Sequence, residues 1–115
     1  PATQRDFAIY TFMGAANICS LNEIKVDLDK AVESSTNMVI AAIFAAHGGV
    51  IQGVNNNQKL EPRQLVGPVQ GEMLSRLQGM CVNKLTPQDK KKIDDFLAKM
   101  KSLSQQPPGS SGSGK

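Results

Sequence analysis

Four stretches of this sequence place their apolar residues at the helical interval of i, i+3, i+4 and i+7. The interval predicts helices over residues 5–20, 27–47, 62–81 and 87–103. Four amphipathic helices with mostly short connections favour a four-helix bundle or an irregular four-helix domain. The predicted fold class is therefore all-α, and residues 1–106 are predicted to form a single helical domain.

The second and fourth helices carry the clearest end signals. Asp27 or Asp29 can cap the second helix, and Gly48–Gly49 can end it because glycine takes a left-handed conformation without a Cβ clash. Thr86 can cap the fourth helix, whose first position would be proline. These signals predict the bounds of both helices.

The third helix is less regular than the others. Gly67–Pro68 is expected to interrupt and restart it, because proline has no amide hydrogen and its ring clashes with the preceding turn. After this break the apolar stripe runs from Val69 to Met80 and Cys81, which are predicted to face the core. The third helix is therefore expected in two parts.

The first helix has an unusually wide apolar arc, which predicts that it is well buried. Small residues at positions 14–16, Gly-Ala-Ala, would let a neighbouring helix approach closely. Aromatic side chains are scarce, with four Phe, one Tyr and no Trp. The core is therefore expected to consist of Leu, Ile, Val, Ala and Met.

Cys19 and Cys81 are the two cysteines of the chain. They end the first and third predicted helices, which run parallel in an alternating bundle, so both lie at the same end of the molecule. A disulfide between them would close about 60 residues and stabilise the fold by roughly 4 kcal/mol in the chain-entropy model. The alternative is a pair of reduced cysteines that act as small buried hydrophobic residues.

Few residues in the sequence could carry catalysis. His47 is the single histidine, and it ends the second helix, which points away from the end that carries both cysteines. Its expected role is that of a helix C-terminal residue whose protonated form suits the negative end of the helix dipole. A structural zinc needs four ligands, and no phosphate-binding glycine loop occurs. We therefore predict no enzyme activity, no metal site and no cofactor, with a small thiol enzyme as an alternative.

The formal net charge of +3 is concentrated in the second half of the chain, where Lys90–Lys92 are consecutive. Asp89 and Asp94 flank this run, and their negative charges reduce the positive electrostatic potential of the lysines. Nucleic-acid-binding proteins show a denser basic stripe or stacking aromatic residues, so no nucleic-acid partner is predicted. The longest apolar stretches, 7–18 and 38–51, are shorter than the roughly 20 residues that span a bilayer, so no transmembrane segment is predicted.

Residues 48–60 form the one long irregular segment between predicted helices. Loops of this length in a small domain tend to be functional or mobile. We therefore take this loop, together with apolar residues of the first helix that find no partner in the bundle, as the candidate surface for a protein partner. The candidate contact residues of the loop are Val50, Ile51, Val54, Asn55, Asn56 and Asn57.

The last nine residues, 107–115, read Pro-Pro-Gly-Ser-Ser-Gly-Ser-Gly-Lys. Glycine and serine in this proportion are typical of a flexible linker. The segment is predicted to be such a linker or a vector-derived scar, and it is excluded from the predicted domain.

Several short motifs carry a resemblance to known proteins. The order of residues 7–12 (Phe-Ala-Ile-Tyr-Thr-Phe), residues 18–21 (Ile-Cys-Ser-Leu), His47 before two glycines and a later cysteine resembles small exported proteins of cyanobacteria, most of which have no assigned function. The layout is also similar to that of periplasmic acid-stress chaperones, which are small and all-helical, with one disulfide and a lysine-rich last helix. The second resemblance implies binding of unfolded clients.

From these features we predict a small exported, non-enzymatic helical protein that acts as a protein-binding module. The alternative is a periplasmic chaperone-like stress protein, which would expose apolar surface on acidification. A stable disulfide would place the mature chain, with its signal removed, in the periplasm, a lumen or the extracellular space, whereas free cysteines would indicate the cytoplasm. The small-residue helix faces are also compatible with a homo-oligomer.

Overall fold

The computed structural model describes residues 1–104, and the predicted linker at 107–115 lies outside the described residues. The four helices are α1 (Gln4–Glu23), α2 (Leu28–His47), α3 (Pro62–Leu77) and α4 (Pro87–Ser104). Two short 3₁₀ turns lie between them, at Asn55–Asn57 and Val82–Lys84. The predicted all-α four-helix fold is confirmed.

Helices α1, α2 and α3 pack against one another, and α4 lies against α3. α4 also reaches the start of α2, where Lys92 forms an ion pair with Asp29. The core is aliphatic, as the scarcity of aromatic residues predicts. Its largest fully buried apolar side chains are Ile18, Val39, Ile43, Ile51, Leu65, Val69, Met73, Leu77 and Ile93.

The end signals of α2 act as predicted. Asp27 is the N-cap residue, and its side chain accepts a hydrogen bond from the amide of Asp29. At the other end Gly48 takes the left-handed conformation with a φ of 63°. Both ends of α2 therefore follow from local chemistry.

Helix α3 runs without a break through Gly67–Pro68, so the predicted interruption is wrong. Pro68 removes one amide donor, which costs about 3 kcal/mol in the interior of a helix. Its ring is exposed, while Leu65 and Val69 on the neighbouring turns are buried. Burial of this continuous apolar stripe offsets the loss and keeps the helix in one piece.

Helix α1 begins with a capping box that the sequence analysis did not identify. The hydroxyl oxygen of Thr3 accepts a hydrogen bond from the Asp6 amide at 3.0 Å, and the Asp6 carboxylate accepts one from the Thr3 amide at 2.9 Å. These two bonds satisfy donors that a helix N-terminus otherwise leaves free.

Acid should weaken this cap. The amide of Thr3, followed by its hydroxyl, lowers the pKa of Asp6 from its ordinary value of 3.8 because both contacts favour the carboxylate. A pKa that is lower in the folded state contributes stability at neutral pH, and this contribution is lost as the pH falls below about 4 through the folded pKa. We therefore expect Asp6→Asn to lower the Tm at neutral pH, and the difference from the wild type to shrink as the pH falls through the lowered folded pKa of Asp6.

Thermal denaturation of both proteins across this pH range would check the prediction. Glu33→Gln is the matched control, since the Glu33 carboxylate is exposed and caps no helix. A Tm difference for Asp6→Asn that persists unchanged at low pH would contradict the capping role.

Candidate protein-binding site

One face of α1 leaves three large apolar side chains in solvent. Ile9 is 44% exposed, Phe12 51% and Met13 53%. They lie at i, i+3 and i+4 and are therefore neighbours on the helix surface. The opposite side of α1 is buried through Thr11 and Ile18. The wide apolar arc of α1 therefore packs on one side only, and the prediction that it is well buried holds for that side.

This exposed face continues onto α2 and onto the segment after α3. Met13 lines a shallow groove with Met38 of α2, and Phe12 lines a second groove with Met80. Met38 and Met80 are themselves exposed. We call the surface formed by Ile9, Phe12, Met13, Met38 and Met80 the α1 patch.

Met80 was predicted to face the core, and its exposure corrects that prediction. Helix α3 ends at Leu77, so Met80 lies beyond the last turn and no longer follows the helical interval. Cys81, in contrast, is buried as predicted. The local change of backbone direction therefore adds Met80 to the α1 patch.

The chemistry of the α1 patch suits contact with apolar protein surface. Methionine side chains are unbranched and polarizable, so they adapt to partners of different shape. Contiguous exposed apolar side chains are typical of interaction sites in soluble proteins. Beside Phe12, the guanidinium of Arg76 donates to the Thr11 hydroxyl at 3.1 Å and pairs with Glu72 at 3.1 Å. The positive charge of Arg76 beside Phe12 is therefore paired with Glu72.

The loop predicted as a partner-binding surface is anchored to the N-terminus. The Ala2 amide donates to the Val50 carbonyl, and the Gln52 amide donates to the Ala2 carbonyl, each at 2.7 Å. Ile51 is 2% exposed and belongs to the core. Val50 and Val54 are half-buried. Of the candidate residues, the apolar ones therefore serve mainly to hold the loop in place.

The exposed part of this loop is polar. Asn55, Asn56 and Asn57 have φ angles of 55°, 55° and 61°, a left-handed conformation that asparagine tolerates better than other side-chain-bearing residues. The Asn57 side-chain oxygen accepts a hydrogen bond from the Gly53 amide at 2.6 Å. The tip therefore has a defined shape and could offer amide groups, but no apolar anchor, to a partner.

A disulfide joins Cys19 and Cys81, with their Cα atoms 5.9 Å apart. This separation lies within the usual range for disulfides. The chain has no free cysteine, so neither sulfur is a thiolate nucleophile in this form.

His47 ends α2, as predicted, and contacts the start of α1. Its Nε2 atom is 2.8 Å from the Tyr10 hydroxyl and 4.0 Å from the Asp6 carboxylate. Cys19 lies thirteen residues after Asp6 on the same helix, about 20 Å away at the helical rise of 1.5 Å per residue. The histidine therefore joins two helices and has no cysteine beside it. Within residues 1–104, no cluster of three His, Cys, Asp or Glu side chains could hold a metal ion.

Comparison with known proteins identifies a family. A family model described as a domain of unknown function, DUF8650, matches residues 5–106. The chain belongs to this family. No curated protein and no solved structure matches the chain. The DUF8650 match includes the α1 patch, the disulfide, α1 from its second residue and the other three helices in full. None of the helices in the described part of this DUF8650 chain combines the length and apolar character that a bilayer crossing requires.

Proposed function

We propose that this DUF8650 protein is a non-enzymatic, exported helical module that binds another protein through the α1 patch. The observation that carries the proposal is the exposure of Ile9, Phe12 and Met13 on one face of a helix whose other face is buried. A partner that covers this face would remove apolar side chains from water, which stabilises a complex. The fitting partner is a protein that presents an apolar face, such as an amphipathic helix.

The disulfide supports the exported part of the proposal. Disulfides persist in oxidising compartments and are rare in the cytosol of most organisms. The Cys19–Cys81 bond holds α1 to the segment after α3, next to Met80 of the patch. The proposed location is therefore the periplasm, a lumen or the extracellular space.

Site-specific photo-crosslinking in the source organism would test which surface binds. A benzophenone amino acid would replace Phe12 in the α1 patch, Asn56 in the loop, or Lys99, an exposed residue of α4 in neither surface. We expect a discrete crosslinked product from position 12 and none from position 99. A product from position 56 alone would assign binding to the loop, and no product from either surface would contradict the proposal.

Met13→Asp should then weaken the identified complex by about tenfold. Full burial of a Met side chain is worth about 1.5–3 kcal/mol, and about half of Met13 is already buried in the free protein. Met13→Leu keeps the apolar volume and is the matched control, expected to bind within about twofold of the wild type. Titration calorimetry with the purified partner measures both. Equal losses of affinity for the two variants would indicate that Met13 acts through packing within the helix and not through contact with the partner.

A chaperone-like role is the second candidate. The patch is rich in adaptable methionine, and the α1 cap that depends on Asp6 is expected to weaken in acid. Both features would help α1 expose more apolar surface to unfolded clients at low pH. Light scattering of an aggregating client at about pH 3 and pH 7 tests this, since the candidate requires stronger protection in acid. A protein that stays compact and gives no protection at either pH would exclude it.

A further inference from the structure

A groove of about 260 Å³ opens between the start of α2, the middle of α3 and the first half of α4. It shares no residue with the α1 patch, so it is a separate site. Its apolar lining consists of Leu28, Val32, Leu74, Ile93 and Phe96. Three of these side chains are buried and form the floor of the groove: Leu28, Leu74 and Ile93.

The rim of this groove is acidic on the α2 side. Asp29 and Glu33 lie one helical turn apart, and Lys92 of α4 approaches Asp29 at 3.6 Å. In the described part of the chain, the Glu33 carboxylate has neither an ion pair nor a hydrogen bond. Because Lys92 pairs with Asp29, the charged side chains that line the groove leave one net negative charge, at Glu33. Gln70 completes the rim with a neutral amide.

We propose that this groove binds a small amphipathic cation, an organic ammonium with an apolar body. The apolar body would cover the floor formed by Leu28, Leu74 and Ile93, and the ammonium would pair with Glu33. The Phe96 ring adds a surface that attracts cations through its π face. This inference is independent of the proposed protein-binding function.

The volume of the groove limits the size of the ligand. At about 30 Å³ per water-sized unit, 260 Å³ admits a molecule of about nine non-hydrogen atoms. Typical small-molecule pockets start at about 300 Å³, so this groove suits ligands at the small end of that range. The net charge of the rim selects against an anion, which would meet the Glu33 carboxylate with like charge.

Three probes of nearly equal size and different charge test the proposal. These are 2-phenylethylammonium, 2-phenylethanol and phenylacetate, titrated into the isotopically labelled full chain and followed by NMR shifts at low ionic strength. We expect shifts at Val32, Leu74 and Ile93, with the ammonium binding about fivefold more tightly than the alcohol and the carboxylate most weakly. Equal binding of ammonium and alcohol, or no shifts at these residues with any probe, would overturn the proposal.

Two substitutions with opposite expected effects on the affinity for the ammonium probe extend the test. Glu33→Gln should weaken ammonium binding about twofold to fivefold, the upper part of the range for an exposed ion pair. Lys92→Gln should strengthen it about twofold to fivefold, since it frees the Asp29 carboxylate. Glu23→Gln is the matched control, because that exposed carboxylate of α1 pairs with Lys84 outside the groove. If Glu33→Gln behaves like Glu23→Gln, the ammonium does not bind at the rim and the proposal fails.

Discussion

Replacing both cysteines by alanine should lower the Tm of this protein by about 15–30 °C. The Cys19–Cys81 bond closes a loop with a sequence separation of 62 residues, which corresponds to about 4 kcal/mol of lost chain entropy in the unfolded state. For a domain of about a hundred residues, each kcal/mol is worth about 4–8 °C near the Tm. Small domains are stable by only about 5–15 kcal/mol, so this single crosslink supplies a large share. Thermal unfolding followed by circular dichroism measures the change.

The wild type in reductant is the matched control for the double variant. Both lack the crosslink, so their Tm values should agree within a few degrees. Alkylation before and after reduction, followed by intact mass, confirms the state of the cysteines: two labels should appear only after reduction. A Tm loss of less than about 5 °C in the double variant would mean that the bond constrains the unfolded chain far less than its loop length implies.

Gly14→Ala should destabilise the protein by about 1–2 kcal/mol, although alanine is normally the better helix residue. A Cβ at position 14 would overlap the sulfur of Met73 and lie 2.9 Å from a methyl group of Val39. Both neighbours are buried, so neither can move into solvent without leaving the core. Such overpacking costs about 1–3 kcal/mol, occasionally more, and the gain in helix propensity offsets only about 1 kcal/mol of it.

Gly71→Ala is the matched control within another helix of the same core. Its new Cβ would lie 3.8 Å from the end of the Met100 side chain, which is an ordinary van der Waals distance. Alanine should therefore stabilise α3 by about 0.5–1 kcal/mol. Urea denaturation of both variants gives opposite signs if close packing at Gly14 is the cause. Stabilisation by both substitutions would show that Met73 repacks freely.

Much of the architecture follows from local sequence. The caps at Asp27 and Gly48 act within one or two turns, so the residues themselves predict where α2 begins and ends. The parallel course of the first and third helices also predicts that the two cysteines lie at one end of the molecule. The sequence does not decide between a disulfide and two reduced thiols, because it does not give the approach of α1 and the segment after α3 that brings the Cα atoms to 5.9 Å.

The candidate site was less accessible to sequence reasoning. Methionine is apolar, so a periodic sequence pattern does not distinguish a buried methionine from an exposed one. This applies to Met13, Met38 and Met80. Their exposure depends on where α4 packs, and α4 lies on α3 and the start of α2 instead of covering the outer face of α1. The predicted loop at Val50–Asn57 illustrates the same difficulty, since its pairing with Ala2 joins residues that are far apart in the chain.

Helix propensity, caps and apolar periodicity depend on residues within a few positions of one another. These local signals were sufficient to predict the all-α class, the four helices and the aliphatic core. Three features depend on contacts between residues distant in sequence. These are the continuity of α3 through Pro68, the burial of Ile51 and the exposure of the α1 patch. In each case the packing between elements that are distant in the chain decides the outcome. A local sequence pattern does not specify which helix or loop will pack against it.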